Sequence, residues 1–203
     1  MKILPYNKDR KAVVAITGAS GSCYAYQLLK KLLVTDIQLE NIAVIFSENG
    51  RKVFEYELGI STFKEINETF KVFDNNDFMV PFASGSSSFD TLIVAPCSMG
   101  TLARIASGVA SDLISRTADV MLKERKHLIL MTRETPLNSI HLENMLRVTN
   151  AGGIICPANP SFYSKPADIE ALISTVTERI LSLSAIDYPD KYEWMKSENN
   201  IKI

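Results

Sequence analysis

Several features that would direct a chain to membranes or nucleic acids are absent from this sequence. No apolar run among the 203 residues is long enough to span a bilayer. The first eleven residues, MKILPYNKDRK, lack the apolar core of a signal peptide. The formal net charge is only −1, so no positive excess favours nucleic acid or an anionic membrane surface. We therefore expect a cytoplasmic globular protein with no membrane or nucleic-acid partner.

Signatures of metal, redox and nucleotide-hydrolase sites are also absent. Cys23, Cys97 and Cys156 form no C-x-x-C motif, so we expect them to be reduced thiols. His127 and His141 have no ligand spacing around them, and we predict no bound metal. The sequence shows no arrangement of serine, histidine and aspartate that would predict a catalytic triad. It contains neither G-x-G-x-x-G nor a Walker A loop, which argues against a standard NAD site and an ATP hydrolase.

Five short apolar runs are present, and they predict buried strands. They are continuously apolar rather than alternating, as is typical of a sheet covered on both faces. The runs are AVVAIT (12–17), NIAVIF (41–46), TLIVAP (91–96), HLILMT (127–132) and GGIICP (152–157). Helical patterns lie between them, so we predict a single α/β domain over 1–203, a Rossmann-like open parallel sheet with helices on both faces. For 59–80 we predict only a short helix and a loop.

Small or polar residues follow each predicted strand. In an open parallel sheet such positions meet outside the carboxyl ends of the strands, where ligands bind. The first loop, Gly18-Ala19-Ser20-Gly21, and the third, Ser98-Met99-Gly100-Thr101, suit a phosphate at a helix N-terminus. Each serine taken alone is equally well explained as a helix cap. Taken together, the loops favour a mononucleotide such as FMN.

A charged pair, Arg133-Glu134, follows the fourth predicted strand. Its position directs it to the ligand crevice, where burying an unpaired ion costs several kcal/mol. One use of such a pair is an arginine that holds phosphate beside a glutamate that transfers a proton.

The chain resembles the UbiX family of flavin prenyltransferases over nearly its whole length. The resemblance rests on five motifs: TGASGS, PFASGSSSFD, APCSMGTLARIASG, RTADVMLKERKHLILMTRETPLNSIHLENM and FYSKP. It implies a metal-independent enzyme that joins the dimethylallyl group of dimethylallyl phosphate to N5 and C6 of reduced FMN. It also implies a cytoplasmic homo-oligomer, a homododecamer, that supplies prenylated FMN to UbiD-type decarboxylases, including those of ubiquinone biosynthesis.

The resemblance also implies roles for individual residues. The implied FMN-binding residues are Gly18, Ala19, Ser20, Ser47, Ser98, Met99, Gly100, Thr101 and Arg133. The implied catalytic residues around the donor phosphate are Glu57, Arg116, Lys123 and Glu134. The implied donor-binding residues are Tyr163, Arg179 and Trp194, the last in a C-terminal tail (187–203) that closes over the site. Helix geometry independently places Arg179 at the rim of the buried face of the last helix.

Two other functions are alternatives to this one. One is an FMN-dependent decarboxylase of cysteine-type substrates, which would need a Pro-x-Ser-Ala-Asn-Thr signature that the sequence lacks. The other is a non-catalytic FMN carrier.

Overall fold

The strands form one six-stranded, all-parallel sheet in the computed structural model, which describes residues 10–188. The spatial order is β3-β2-β1-β4-β5-β6, with crossovers between parallel neighbours. The strands are β1 (Ala12–Ile16), β2 (Ile42–Phe46), β3 (Lys71–Asp74), β4 (Thr91–Cys97), β5 (His127–Thr132) and β6 (Ile154–Ile155). This confirms the predicted open parallel sheet and all five predicted strands, although the last is only two residues long.

Helices cover both faces of the sheet. They are α1 (Ser22–Leu32), α2 (Glu48–Leu58), α3 (Ile60–Thr69), α4 (Met99–Ala106), α5 (Leu113–Lys123), α6 (Ser139–Ala151) and α7 (Ile169–Leu183). One apolar core joins the sheet to α1, α2, α3 and α7, and a second joins the opposite face to α4, α5 and α6. Neighbouring strand residues such as Val13 and Val14 enter different cores, because strand side chains alternate between faces.

Strand β3 was not predicted. The prediction for 59–80 was a short helix and a loop, whereas the structure has α3 followed by β3 at the edge of the sheet. Its four residues, Lys71 to Asp74, are exposed or half-buried and begin and end with a charge. An edge strand of this kind lacks the apolar run by which the buried strands are recognised.

The backbone of α2 lies directly against β1 at Gly50. A Cβ atom at this position would lie 2.2 Å from the Ile16 carbonyl oxygen. We therefore expect Gly50→Ala to lower the free energy of unfolding by about 1–3 kcal/mol, as overpacking does. Urea denaturation measures the change. Gly100→Ala is the matched control, because a Cβ there has no heavy atom within 4 Å. Equal losses in the two variants would contradict this close approach.

Candidate active site

The carboxyl ends of β1 and β4 lie side by side at the centre of the sheet. The chain leaves β1 towards β2 on one side and leaves β4 towards β5 on the other, so the two loops diverge at this point. Ligands of open α/β sheets bind in the crevice at such a topological switch point. The two small-residue loops identified in the sequence, 18–21 and 98–101, border this crevice.

Ser47 and Ser98 each cap a helix. The Ser47 hydroxyl accepts a hydrogen bond from the Gly50 amide at 3.0 Å, and the Ser98 hydroxyl accepts one from the Thr101 amide at 3.3 Å. These cap hydrogen bonds are a sufficient reason for a serine at both positions, and they do not exclude a ligand there. Beside the first turn of α4, the space around Gly100 is open. First-turn amides have no carbonyl partner within their own helix, so this end of α4 suits an anion.

The N-terminus of α1 is already occupied by a carboxylate. Glu57, on α2, accepts hydrogen bonds from the backbone amides of Gly21 at 3.1 Å and Ser22 at 2.7 Å. Burial opposes the charge of Glu57, but hydrogen bonds from the Ser20 hydroxyl and these amides outweigh it and lower its pKa. Glu57 thus provides the negative charge that a phosphate would otherwise supply at α1. Of the two predicted phosphate loops, the one that opens α4 is left to bind an external anion.

Arg133 and Glu134 border the crevice from the end of β5. The Arg133 Nε donates to the Ser20 carbonyl oxygen at 3.0 Å and so ties this loop to the one after β1. Glu134 is exposed, and its carboxylate accepts from the backbone amide of Thr135 at 3.0 Å. Both line a cleft of about 300 Å³ whose wall includes Leu137 and Met145. The cleft therefore combines a cation, a free carboxylate and an apolar surface.

The predicted donor-binding residues of the last loop and helix are accessible. Tyr163 is 74% exposed in the loop between β6 and α7, and Arg179 is exposed on α7. Burial raises the pKa of the Cys156 thiol, and the nearby charge of Arg179 opposes that rise. The charge of Arg179 therefore acts on Cys156, which directly follows β6.

Lys123 is not brought to this edge within one chain. It is the last residue of α5, which ends at the amino edge of the sheet, whereas Arg116 lies three residues after the start of that helix, where the Leu113 amide donates to the Asn75 carbonyl oxygen just past β3. Lys123 pairs with Glu124 beside Gly85, which precedes β4. Arg116 pairs with Asp119 at 3.0 Å and donates to the Ala83 carbonyl oxygen at 3.0 Å. The six-residue strand β5 separates Lys123 from Glu134 by roughly 20 Å.

His141 and Cys97 are explained by the structure of the fold rather than by catalysis. His141 belongs to the capping box of α6 with Asn138. Burial raises the pKa of the Cys97 thiol to about 12, so this thiol stays protonated and does not serve as a nucleophile.

Within residues 10–188 there is no group of three His, Cys, Asp or Glu that could hold a metal ion, and no helix that could cross a membrane. Trp194 and most of the 187–203 tail lie outside the described residues.

Thr17 was missed in the sequence. It lies at the end of β1, 1% exposed, and its hydroxyl joins the loops after β1 and β4. Two signals were available: Thr17 ends the otherwise apolar run AVVAIT, and it begins the motif TGASGS.

Most of the chain has counterparts among known proteins. A family model described as Flavoprotein matches residues 4–181. A protein of Methanocaldococcus jannaschii named flavin prenyltransferase UbiX is 45% identical over 178 residues, which are 87% of this chain and 94% of that protein. The crystal structure of AnUbiX (PadA1) in complex with FMN and dimethylallyl pyrophosphate has a TM-score of 0.84 and 43% identity, covering 92% of this chain and 97% of that one. The crystal structure of a dodecameric FMN-dependent UbiX-like decarboxylase from Escherichia coli O157:H7 has a TM-score of 0.83 and 34% identity, covering 91% of this chain and 98% of that one.

Proposed function

Because the chain belongs to the Flavoprotein family and, within it, to the UbiX flavin prenyltransferases, we propose that it joins the dimethylallyl group of dimethylallyl phosphate to N5 and C6 of reduced FMN. The observation that carries the proposal is the likeness, over 92% of the chain, to a structure that holds FMN and a dimethylallyl donor together. Reduced FMN supplies the nucleophilic ring. The residues of this chain bind, orient and exchange protons with the two substrates.

The crevice at β1 and β4 fits the phosphate of FMN. The open space beside Gly100 and the first-turn amides of α4 provide a place for one phosphate. Ser47, Ser98 and Thr101 add hydroxyl groups around it, and Arg133 adds a cation that is held in place by its hydrogen bond to Ser20. In this proposal, the loop 18–20 contacts the flavin rather than its phosphate, since Glu57 already occupies the amides at the start of α1.

Cations activate the donor in this proposal. Cleavage of the carbon–oxygen bond of an allylic phosphate leaves negative charge on the phosphate, and preorganised cationic donors stabilise that charge. Arg179 and Tyr163, both exposed, are assigned to its phosphate, and the apolar wall of the cleft suits the dimethylallyl group. With Arg116 and Lys123 added, the chain supplies enough positive charge for the reaction to proceed without a metal ion.

The separation of the predicted cations within one chain supports an oligomeric site. Lys123 and Glu134 lie at opposite edges of the sheet, so one chain does not bring both to one substrate. We propose that α5 of a second copy of this chain supplies Arg116 and Lys123. A homododecamer would provide such contacts, and a UbiX-like relative is dodecameric. In a closed homo-oligomer every copy makes the same set of contacts, so each copy can both give and receive residues.

The proposed function also implies a recipient for the product and a cellular compartment for the protein. Prenylated FMN would pass to a UbiD-type decarboxylase, including one of ubiquinone biosynthesis. Cys23, Cys97 and Cys156 are unpaired, which is typical of reducing compartments, and we propose that the protein acts in the cytoplasm.

We expect the purified protein to contain FMN rather than FAD or NAD. The crevice offers one phosphate-sized helix terminus, whereas the second small-residue loop is occupied by Glu57. Release of the bound flavin by heat, followed by chromatography against standards, identifies it. Recovery of FAD as the main flavin would contradict the assignment.

A comparison of substrates separates the proposed function from its two alternatives. The transferase modifies reduced FMN only when dimethylallyl phosphate is present. A cysteine-type decarboxylase instead releases carbon dioxide from a peptide with a C-terminal cysteine, and a carrier changes neither substrate. Mass spectrometry of the flavin and the peptide after anaerobic incubation distinguishes these three results.

A further inference from the structure

Thr17 forms the direct connection between the two loops at the switch point. Its hydroxyl donates to the Pro96 carbonyl oxygen at 2.8 Å and accepts from the Ser98 amide at 2.8 Å. Its backbone amide donates to the same Pro96 oxygen at 3.2 Å, and its carbonyl accepts from the Ala19 amide at 2.9 Å. One buried residue therefore joins the turn that leads to α1 with the turn that opens α4.

The contact has a chemical requirement that few side chains meet. The bridging atom must donate to a carbonyl and accept from an amide, and a hydroxyl oxygen does both. Valine has nearly the same shape but does neither. A valine here would leave the amide of the half-buried Ser98 without its partner, and a donor left unsatisfied away from water costs free energy.

The contact also determines the position of the anion-binding end of α4. The Ser98 amide is held by Thr17, and the Ser98 hydroxyl in turn holds the Thr101 amide. The Thr101 hydroxyl accepts from Arg104, which pairs with Asp112 at 3.2 Å. A continuous series of hydrogen bonds thus runs from β1 to the first two turns of α4.

From this arrangement we infer that Thr17 is a positioning residue for FMN: its hydroxyl holds the first turn of α4 in register with β1, so that the phosphate finds its amides preorganised. The inference rests on the proposed function, since it assumes that FMN binds at this turn. Thr17 does not contact the reacting atoms, and its effect on the ligand acts through Ser98.

A buried hydroxyl also contributes to stability, so the test needs a threonine that is equally buried but makes no hydrogen bond to either crevice loop. Thr177 on α7 meets this need. It is 0% exposed, and its hydroxyl donates to the Gln27 side chain at 2.8 Å. Thr177→Val removes the same chemical group from the interface between α1 and α7. It should lower the melting temperature as Thr17→Val does, without moving α4.

The experiment measures the Kd for FMN by flavin fluorescence, together with the melting temperature, for the flavin-free wild type and three variants. We expect Thr17→Val to raise the Kd at least about tenfold, corresponding to the loss of a preorganised charge-assisted contact. Thr17→Ser, which keeps the hydroxyl, should stay within about twofold of wild type because both hydrogen bonds can still form. Thr177→Val should leave the Kd unchanged. If Thr17→Val does not fold, Thr17→Ala removes the same hydroxyl without placing a methyl group against the Ser98 amide.

Two results would overturn the inference. In one, Thr17→Val binds FMN as tightly as wild type. In the other, Thr177→Val weakens binding as much as Thr17→Val does, which would mean that general destabilisation explains the effect. Failure of the wild-type protein to bind FMN is a different result: it would contradict the proposed function, and the inference would fall with it.

Discussion

Glu134→Gln should reduce prenyl transfer by about 10²- to 10⁴-fold, the range typical of general acid–base groups, while FMN binds as before. The Glu134 carboxylate is exposed at the end of β5 and, among residues 10–188, accepts only a local bond from the Thr135 amide, so it is available to substrate. Transfer to flavin N5 requires that this nitrogen lose a proton, and the departing phosphate can gain one. Glutamine keeps the size and one acceptor oxygen but does not carry the proton.

The alternative role for Glu134 is to neutralise neighbouring cations. In that case glutamine would disturb those cations and weaken substrate binding, with an intact rate at saturation. The measurements are FMN affinity and single-turnover rate on the same variant. Glu143→Gln, which changes an exposed acid on α6, is the matched control and should behave as wild type. A near-normal rate for Glu134→Gln would reject its role in proton transfer.

Lys123→Ala and Glu134→Gln, each nearly inactive alone, should restore activity when the two variants assemble together. Lys123 and Glu134 lie at opposite edges of the sheet in one chain. If α5 of a second copy completes the site, a site that draws Glu134 from one variant and Lys123 from the other is intact. Random mixing of equal amounts makes about one quarter of the sites intact.

Co-expression with two different affinity tags and sequential purification isolates the mixed oligomers. Arg125→Ala, which removes an exposed charge two residues from Lys123, is the control variant and should be active on its own. Separately purified variants that are combined without subunit exchange should remain inactive. Mixed oligomers that stay as inactive as their parents would place both residues of a site in one chain and contradict the shared site.

The buried strands were predictable because they are covered on both faces. AVVAIT and TLIVAP read as continuous apolar runs, and in the structure β1 and β4 are buried at every position. The edge strand β3 was not predictable in this way, because Val72 and Phe73 are flanked by the exposed charges of Lys71 and Asp74. The position of the crevice was also predictable, since it follows from strand order and from the residues after each strand.

The contacts within the crevice were less accessible to sequence reasoning. Thr17 meets Pro96 and Ser98 across about 80 residues of chain, and only the pairing of β1 with β4 brings them together. Glu57 was assigned to the site by resemblance, but no spacing indicates that its carboxylate caps α1 from α2. Lys123 is close in sequence to Arg133 yet distant in space, because α5 ends before β5 begins and the six residues of β5 run to the opposite edge of the sheet.

The most direct test of the proposed reaction is an anaerobic single turnover with reduced FMN, dimethylallyl phosphate and excess EDTA. Flavin mass and released inorganic phosphate are measured in the same samples. The account predicts a flavin heavier by one dimethylallyl group less one hydrogen atom, one phosphate for each modified flavin, and a rate that EDTA does not change. An unmodified flavin, or phosphate release without flavin modification, would contradict it. Loss of turnover in EDTA that Mg²⁺ restores would contradict the metal-independent mechanism.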